Sequence, residues 1–107
     1  MEDHAYLNAK GLLGTAVFEL VGVGGIRERL YKASKAIVPL QPRHLPDYLR
    51  GDYEALWRAL TWIPVERTGE GNLQATLRSM DDAEADRIAK QIFELYDRVT
   101  EASYSAE

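Results

Sequence analysis

The sequence predicts a mainly α fold: a compact bundle of three to five helices, with a small β-hairpin or extended loop near residues 63–78. Three observations carry this expectation. Apolar residues recur at helical spacing over most of the chain. Three of the four prolines gather between residues 39 and 46, where they separate two helical patterns. Gly69 and Gly71 stand between stretches that alternate apolar and polar residues, with Leu73, Ala75 and Leu77 on one side. The chain has 107 residues, 46% hydrophobic and 28% charged, which is the composition of a globular protein with room for one domain. Residues 1–107 therefore read as one helical unit whose tail, 103–107, frays.

The first element runs from about Asp3 toward Val38. Leu12, Leu13, Val17, Leu20 and Val21 are too dense for one apolar stripe, so this helix should be covered on more than one side. At 100° per residue, Leu7, Gly11, Gly14, Phe18, Gly22 and Gly25 share one narrow sector, a glycine groove interrupted by two apolar knobs. Each interior glycine costs a helix about 0.5–1 kcal/mol relative to alanine, so such a row points to something packed close to the backbone. The run Val21-Gly22-Val23-Gly24-Gly25 also offers a left-handed helix end, and the spacing leaves continuation or a break open. Beyond it, Ile26, Leu30, Ala33 and Ile37 form an amphipathic face that ends before Pro39.

After the proline-rich connection, Pro46 and Asp47 suit a first helical turn, and Leu49, Tyr53, Leu56, Trp57 and Leu60 make an apolar face through Thr61; Gly51-Asp52 offers a second start within it. Pro64 stops that helix. The last element is expected to start at Ser79, with Ser-Met-Asp-Asp as a capping-box variant, and to bury Ala85, Ile88, Ala89, Ile92, Leu95, Tyr96 and Val99. Asp86 with Lys90 and Glu94 with Arg98 are spaced as i,i+4 ion pairs on its outer side.

Composition excludes much chemistry. Without cysteine there is no disulfide, zinc ribbon, iron–sulfur cluster or thiol nucleophile, and the two histidines, His4 and His44, lie in no metal-ligand spacing with a carboxylate. Ser34, Thr61, Thr76 and Ser79 have no base in identifiable reach, so no catalytic residue, cofactor or metal is expected. Gly22-x-Gly24-Gly25 lacks the Gly-Lys-Ser/Thr ending of a phosphate loop. The net charge of −4 argues against a nucleic-acid coat, although residues 1–50 carry seven basic and five acidic side chains and residues 51–107 six and twelve. The acidic start lacks the cationic region of a secretory signal, and residues 11–26 are too short and too glycine-rich for a membrane span, so a cytoplasmic location is expected.

Three functional readings follow. The first is a non-enzymatic interaction module that forms a homodimer or higher oligomer through the glycine-lined helix. Its contact residues would be Gly11, Gly14, Phe18, Gly22 and Gly25, with Tyr31, Tyr48, Trp62 and Phe93 as aromatic contacts, to a second copy or a protein partner. The second is a small-molecule pocket or minor enzyme around Phe18, Glu19 and Trp57, with Arg43 and His44 as an anion site; Glu19, inside an apolar run, needs a partner or an exit to water. The third is a nucleic-acid-associated regulator using Arg27, Arg29, Lys32, Lys35 and Arg43.

Overall fold

The computed structural model describes residues 2–62 and 71–105. It contains five α-helices, α1 (Glu2–Leu20), α2 (Ile26–Ala36), α3 (Asp47–Leu60), α4 (Asn72–Ser79) and α5 (Asp82–Ser105), and a 3-10 turn at Pro42–His44. Among the described residues there is no strand. The mainly α bundle is therefore as the periodicity predicts, and one apolar core joins all five helices through residues such as Leu13, Leu30, Leu49, Leu77 and Ile92. No described helix is long and apolar enough to cross a membrane.

The glycine-rich run is a break. α1 ends at Leu20, and α2 starts after Gly25, whose extended backbone forms the cap. Gly24 has φ of +104°, a conformation that side-chain-bearing residues rarely adopt. Arg29 locks the reversal: its Nε donates to the Gly24 carbonyl at 2.9 Å and a terminal nitrogen donates to the Leu20 carbonyl at 2.6 Å. A cation thus meets a carbonyl that the end of α1 leaves unpaired. Folded back in this way, α1 packs against both α2 and α5. Its small residues Ala9 and Ala16, fully buried beside Leu13, let those neighbours approach.

Several expectations are corrected here. Residues 72–79 are helical, not the second arm of a hairpin; the first part of that expectation, 63–70, lies outside the described residues. Leu73, Ala75 and Leu77 do alternate, but Thr76 and Met80 are also buried, and positions 73, 76, 77 and 80 fit a helical stripe equally well. Five residues cannot separate the two periods. Arg27 favours the helix from outside, donating to the carbonyls of Arg78 and Met80 at 3.4 and 3.3 Å while its Nε lies 3.4 Å from Asp82.

The cap of α5 is Asp81 rather than Ser79. Asp81 Oδ1 accepts from the backbone N–H of Glu84 at 2.8 Å, whereas Ser79 closes α4 by donating to the Ala75 carbonyl at 3.0 Å. At its other end α5 continues through Ser105, with Ser103 buried and bonded to the Thr100 carbonyl at 2.9 Å, so the helix extends into the predicted tail. α3 is continuous through Gly51. Asp52 caps nothing and instead reaches Arg98 of α5 at 2.9 Å, displacing the expected Glu94–Arg98 pair, while Asp86–Lys90 forms at 3.0 Å.

The connection between α2 and α3 is held by one phenol. Tyr53 Oη lies 2.7 Å from the Leu40 carbonyl and 3.1 Å from that of Ile37, both in the buried chain leaving α2. Burial pushes this phenol above its ordinary pKa of 10.0, outweighing a downward pull from the neighbouring Trp57 side chain.

Two predictions follow from these contacts. Gly24→Ala forces an alanine into positive φ and should lower unfolding stability by about 1–2 kcal/mol in urea titrations. Tyr53→Phe takes its donor from the buried Leu40 carbonyl, while that of Ile37 keeps the Leu40 N–H, and should lower stability by about 1–3 kcal/mol. Because the folded-state pKa is raised, the Tyr53 contribution is complete below pH 10, declines once the unfolded phenol ionises and is lost as pH rises through the folded value. The gap between wild type and Tyr53→Phe should therefore narrow only in alkaline solution, as urea midpoints measured from pH 7 to 11 will register.

Candidate interaction surface

α1 and α5 run antiparallel along a shared seam, with Lys10 Nζ 4.8 Å from the centroid of the Tyr104 ring at one end. Toward the middle, a Cβ built on Gly14 would stand 3.3 Å from Cε1 of Tyr96. Gly14 is thus a packing glycine within the chain: it makes room for an aromatic ring of α5. Gly11, one turn earlier, has nothing within 4 Å of such an atom and faces open space.

Just outside this seam lies a row of apolar side chains that no other element covers. Leu7 and Phe18 on α1 are 53% and 72% exposed, and Phe93 and Tyr104 on α5 are 52% and 63% exposed. Helical geometry places them together. Phe18 is one turn beyond Gly14 and Phe93 about one turn before Tyr96, so both project on the outer side of the Gly14–Tyr96 contact. Tyr104 was hidden from sequence reasoning by the expectation of a frayed tail. Its spacing from Phe93, the same eleven positions that separate Leu7 from Phe18, is the signal that could have found it.

The predicted glycine row therefore divides. Gly14 is internal, Gly11 lies on the outer face, and Gly22 and Gly25 lie beyond the end of α1, so they do not extend its groove. Of the predicted aromatic contacts, only Phe93 joins this face. Tyr31 lies partly buried near Lys35, whose ammonium is 5.9 Å from its ring centroid, and lines a groove between α2 and α4. Tyr48 is exposed at the start of α3 under the Arg98 guanidinium, 5.8 Å from its ring centroid, and Trp62 is exposed just past the end of α3.

Phe18, Glu19 and Trp57 do not share a cavity. Trp57, edge-on to Tyr53 with ring centroids 6.5 Å apart, lines a groove of about 400 Å³ with Val38, Leu40 and Pro42. Glu19 is only partly buried, so it leaves the apolar run toward water, and Phe18 points outward. Arg43 and His44 stand together on the 3-10 turn. Nδ1 of His44 accepts from the Gln41 backbone N–H at 3.2 Å and caps the 3-10 turn, and the Arg43 side chain is exposed.

Three of the seven basic residues of the first half hold backbone. Arg27 and Arg29 cap helix ends, Arg50 donates to the Leu45 carbonyl at 3.0 Å and pairs with Asp47 at 2.8 Å, and Lys32 is 3.7 Å from Glu28. Among the described residues no three His, Asp or Glu side chains gather as a metal-binding group.

The two glycines should respond in opposite directions. Gly14→Leu drives a side chain into the Tyr96 ring and should cost the fold about 1–3 kcal/mol. Gly11→Ala, in dilute protein, should gain about 0.5–1 kcal/mol from helix propensity alone. Thermal melts of both variants test the assignment; equal effects of the two would contradict it. Comparison of the chain with protein-family models, with curated proteins and with solved structures finds no match, so its function is read from this surface and its residues.

Proposed function

We propose that this chain is a non-enzymatic self-association module whose docking surface is the outer face of α1 and α5. The observation that carries the reading is the coincidence of four large exposed apolar side chains, Leu7, Phe18, Phe93 and Tyr104, on one side of one helix pair. A fully exposed aromatic side chain presents roughly 200 Å², so these four leave on the order of 400–500 Å² of apolar surface open to water. A standard protein interface takes about 800 Å² from each partner, a little over half of it apolar. The open apolar area is thus what one side of such an interface contains.

On α1 the face is also poor in charge. Between Tyr6 and Leu20, α1 carries only Lys10 and Glu19, and Lys10 already rests on the Tyr104 ring. Burying the α1 half would desolvate few ions; the charge on this face lies on α5, where Asp97 and Glu101 stand one turn from Phe93 and Tyr104.

Light scattering coupled to size exclusion, from about 1 µM to 1 mM, tests the reading. Wild type should pass from monomer to a defined assembly within this range, and Phe18→Glu should weaken that assembly tenfold or more while leaving the melting temperature of the dilute monomer within a few degrees of wild type. A chain that stays monomeric throughout overturns the proposal, as does an assembly indifferent to Phe18→Glu.

A further inference from the structure

We infer that the partner on this face is a second copy of the chain, packed antiparallel about a two-fold axis that crosses α1 midway between Leu12 and Leu13. The inference rests on the self-association reading above and adds its geometry. A two-fold between antiparallel helices pairs positions that lie equally far on either side of the axis. Leu7 and Phe18 have their midpoint between residues 12 and 13, and so do Gly11 and Gly14. One axis therefore sets Leu7 of each copy opposite Phe18 of the other. The same axis brings the glycine-containing turns together at the centre, where the open space beside Gly11 permits close approach.

α5 obeys the same symmetry, and this is the independent check. The contacts of Lys10 with Tyr104 and of Gly14 with Tyr96 set the 12/13 level of α1 beside residues between 97 and 102 of α5. Phe93 and Tyr104 have their midpoint between residues 98 and 99, inside that window. The axis that pairs Leu7 with Phe18 thus also pairs Phe93 with Tyr104, and four exposed apolar side chains per copy are covered at once. The product is an antiparallel four-helix layer, α1 facing α1 and α5 facing α5.

Because the chain contains no cysteine, single thiols report on the register cleanly. Asn8 and Glu19 lie on α1 on one flank of the apolar row, outside it, so Asn8→Cys and Glu19→Cys leave the face intact. At 1.5 Å per residue, the axis puts position 8 of one copy within about 3 Å, along the helix, of position 19 of the other. Two copies of position 8 are then about 14 Å apart along the axis and two copies of position 19 about 20 Å. With a short bis-maleimide, a mixture of the two variants should give a covalent dimer, and either variant alone should give at least tenfold less. Phe18→Glu, introduced into both chains, should abolish the cross-link. Strong cross-linking of each variant alone, with no gain on mixing, would mean parallel packing; it would overturn the register and leave self-association standing. A light-scattering dimer with no cross-link in any combination overturns the axis in the same way. A monomer at every concentration overturns both readings.

Discussion

α1 carries apolar residues around most of its circumference, and among the described residues its main partners are α2 and α5. α2 and α5 take the buried arc of Ala9, Leu13 and Ala16; Leu7, Gly11 and Phe18 point away from both. This arrangement follows from the reversal at Gly24. If α1 and α2 were one continuous helix, α2 could not lie along α1, and Leu30, Ala33 and Ile37 would lose the surface that buries them. The positive φ of Gly24 permits the turn and the Arg29 guanidinium holds it, so one strained backbone position and one side chain decide how much of α1 is covered.

The same economy explains what became of the basic residues. A guanidinium has five donors and no acceptor, which suits it to the unpaired carbonyls at helix ends. Arg29 serves α1, Arg27 serves α4 and the start of α5, and Arg50 holds the chain entering α3. Charge asymmetry along the sequence lies in the acidic residues, five before residue 51 and twelve after it, while three of the basic residues of the first half are taken up in closing helix ends and entries. An anionic ligand would have to compete with backbone carbonyls for Arg27, Arg29 and Arg50.

Much of the fold was legible, because long helices repeat their signal. α2, α3 and α5 bury the faces that their periodicity marks, since three or more turns of pattern leave little ambiguity. α4 was misread because eight residues hold both periods at once, and only the burial of Thr76 and Met80 in tertiary structure separates them. Ser79 and Asp81 both offer a capping oxygen two positions apart, and the chain uses one for each helix. Arg98 chose Asp52 over Glu94 because α3 brings a carboxylate that no spacing along α5 could reveal. The surface was half legible. Phe18 and Phe93 stand out in sequence, but which glycines belong with them depended on where α1 ends.

Gly11 and Gly14 make the final distinction. Both weaken α1 by about 0.5–1 kcal/mol relative to alanine, and a fold with only marginal stability retains such residues where something offsets the loss. For Gly14 the offset lies within the chain, in the ring of Tyr96 that rests against it. For Gly11 no atom of the described residues lies within 4 Å of a Cβ built there. A backbone left bare at the centre of an apolar row, between knobs one turn away at Leu7 and two turns away at Phe18, gains its compensation only when another backbone lies against it. In the proposed dimer the knobs of a second copy, placed by the two-fold, would fall on either side of that bare turn, so the feature that weakens the monomer would be the one that admits its partner.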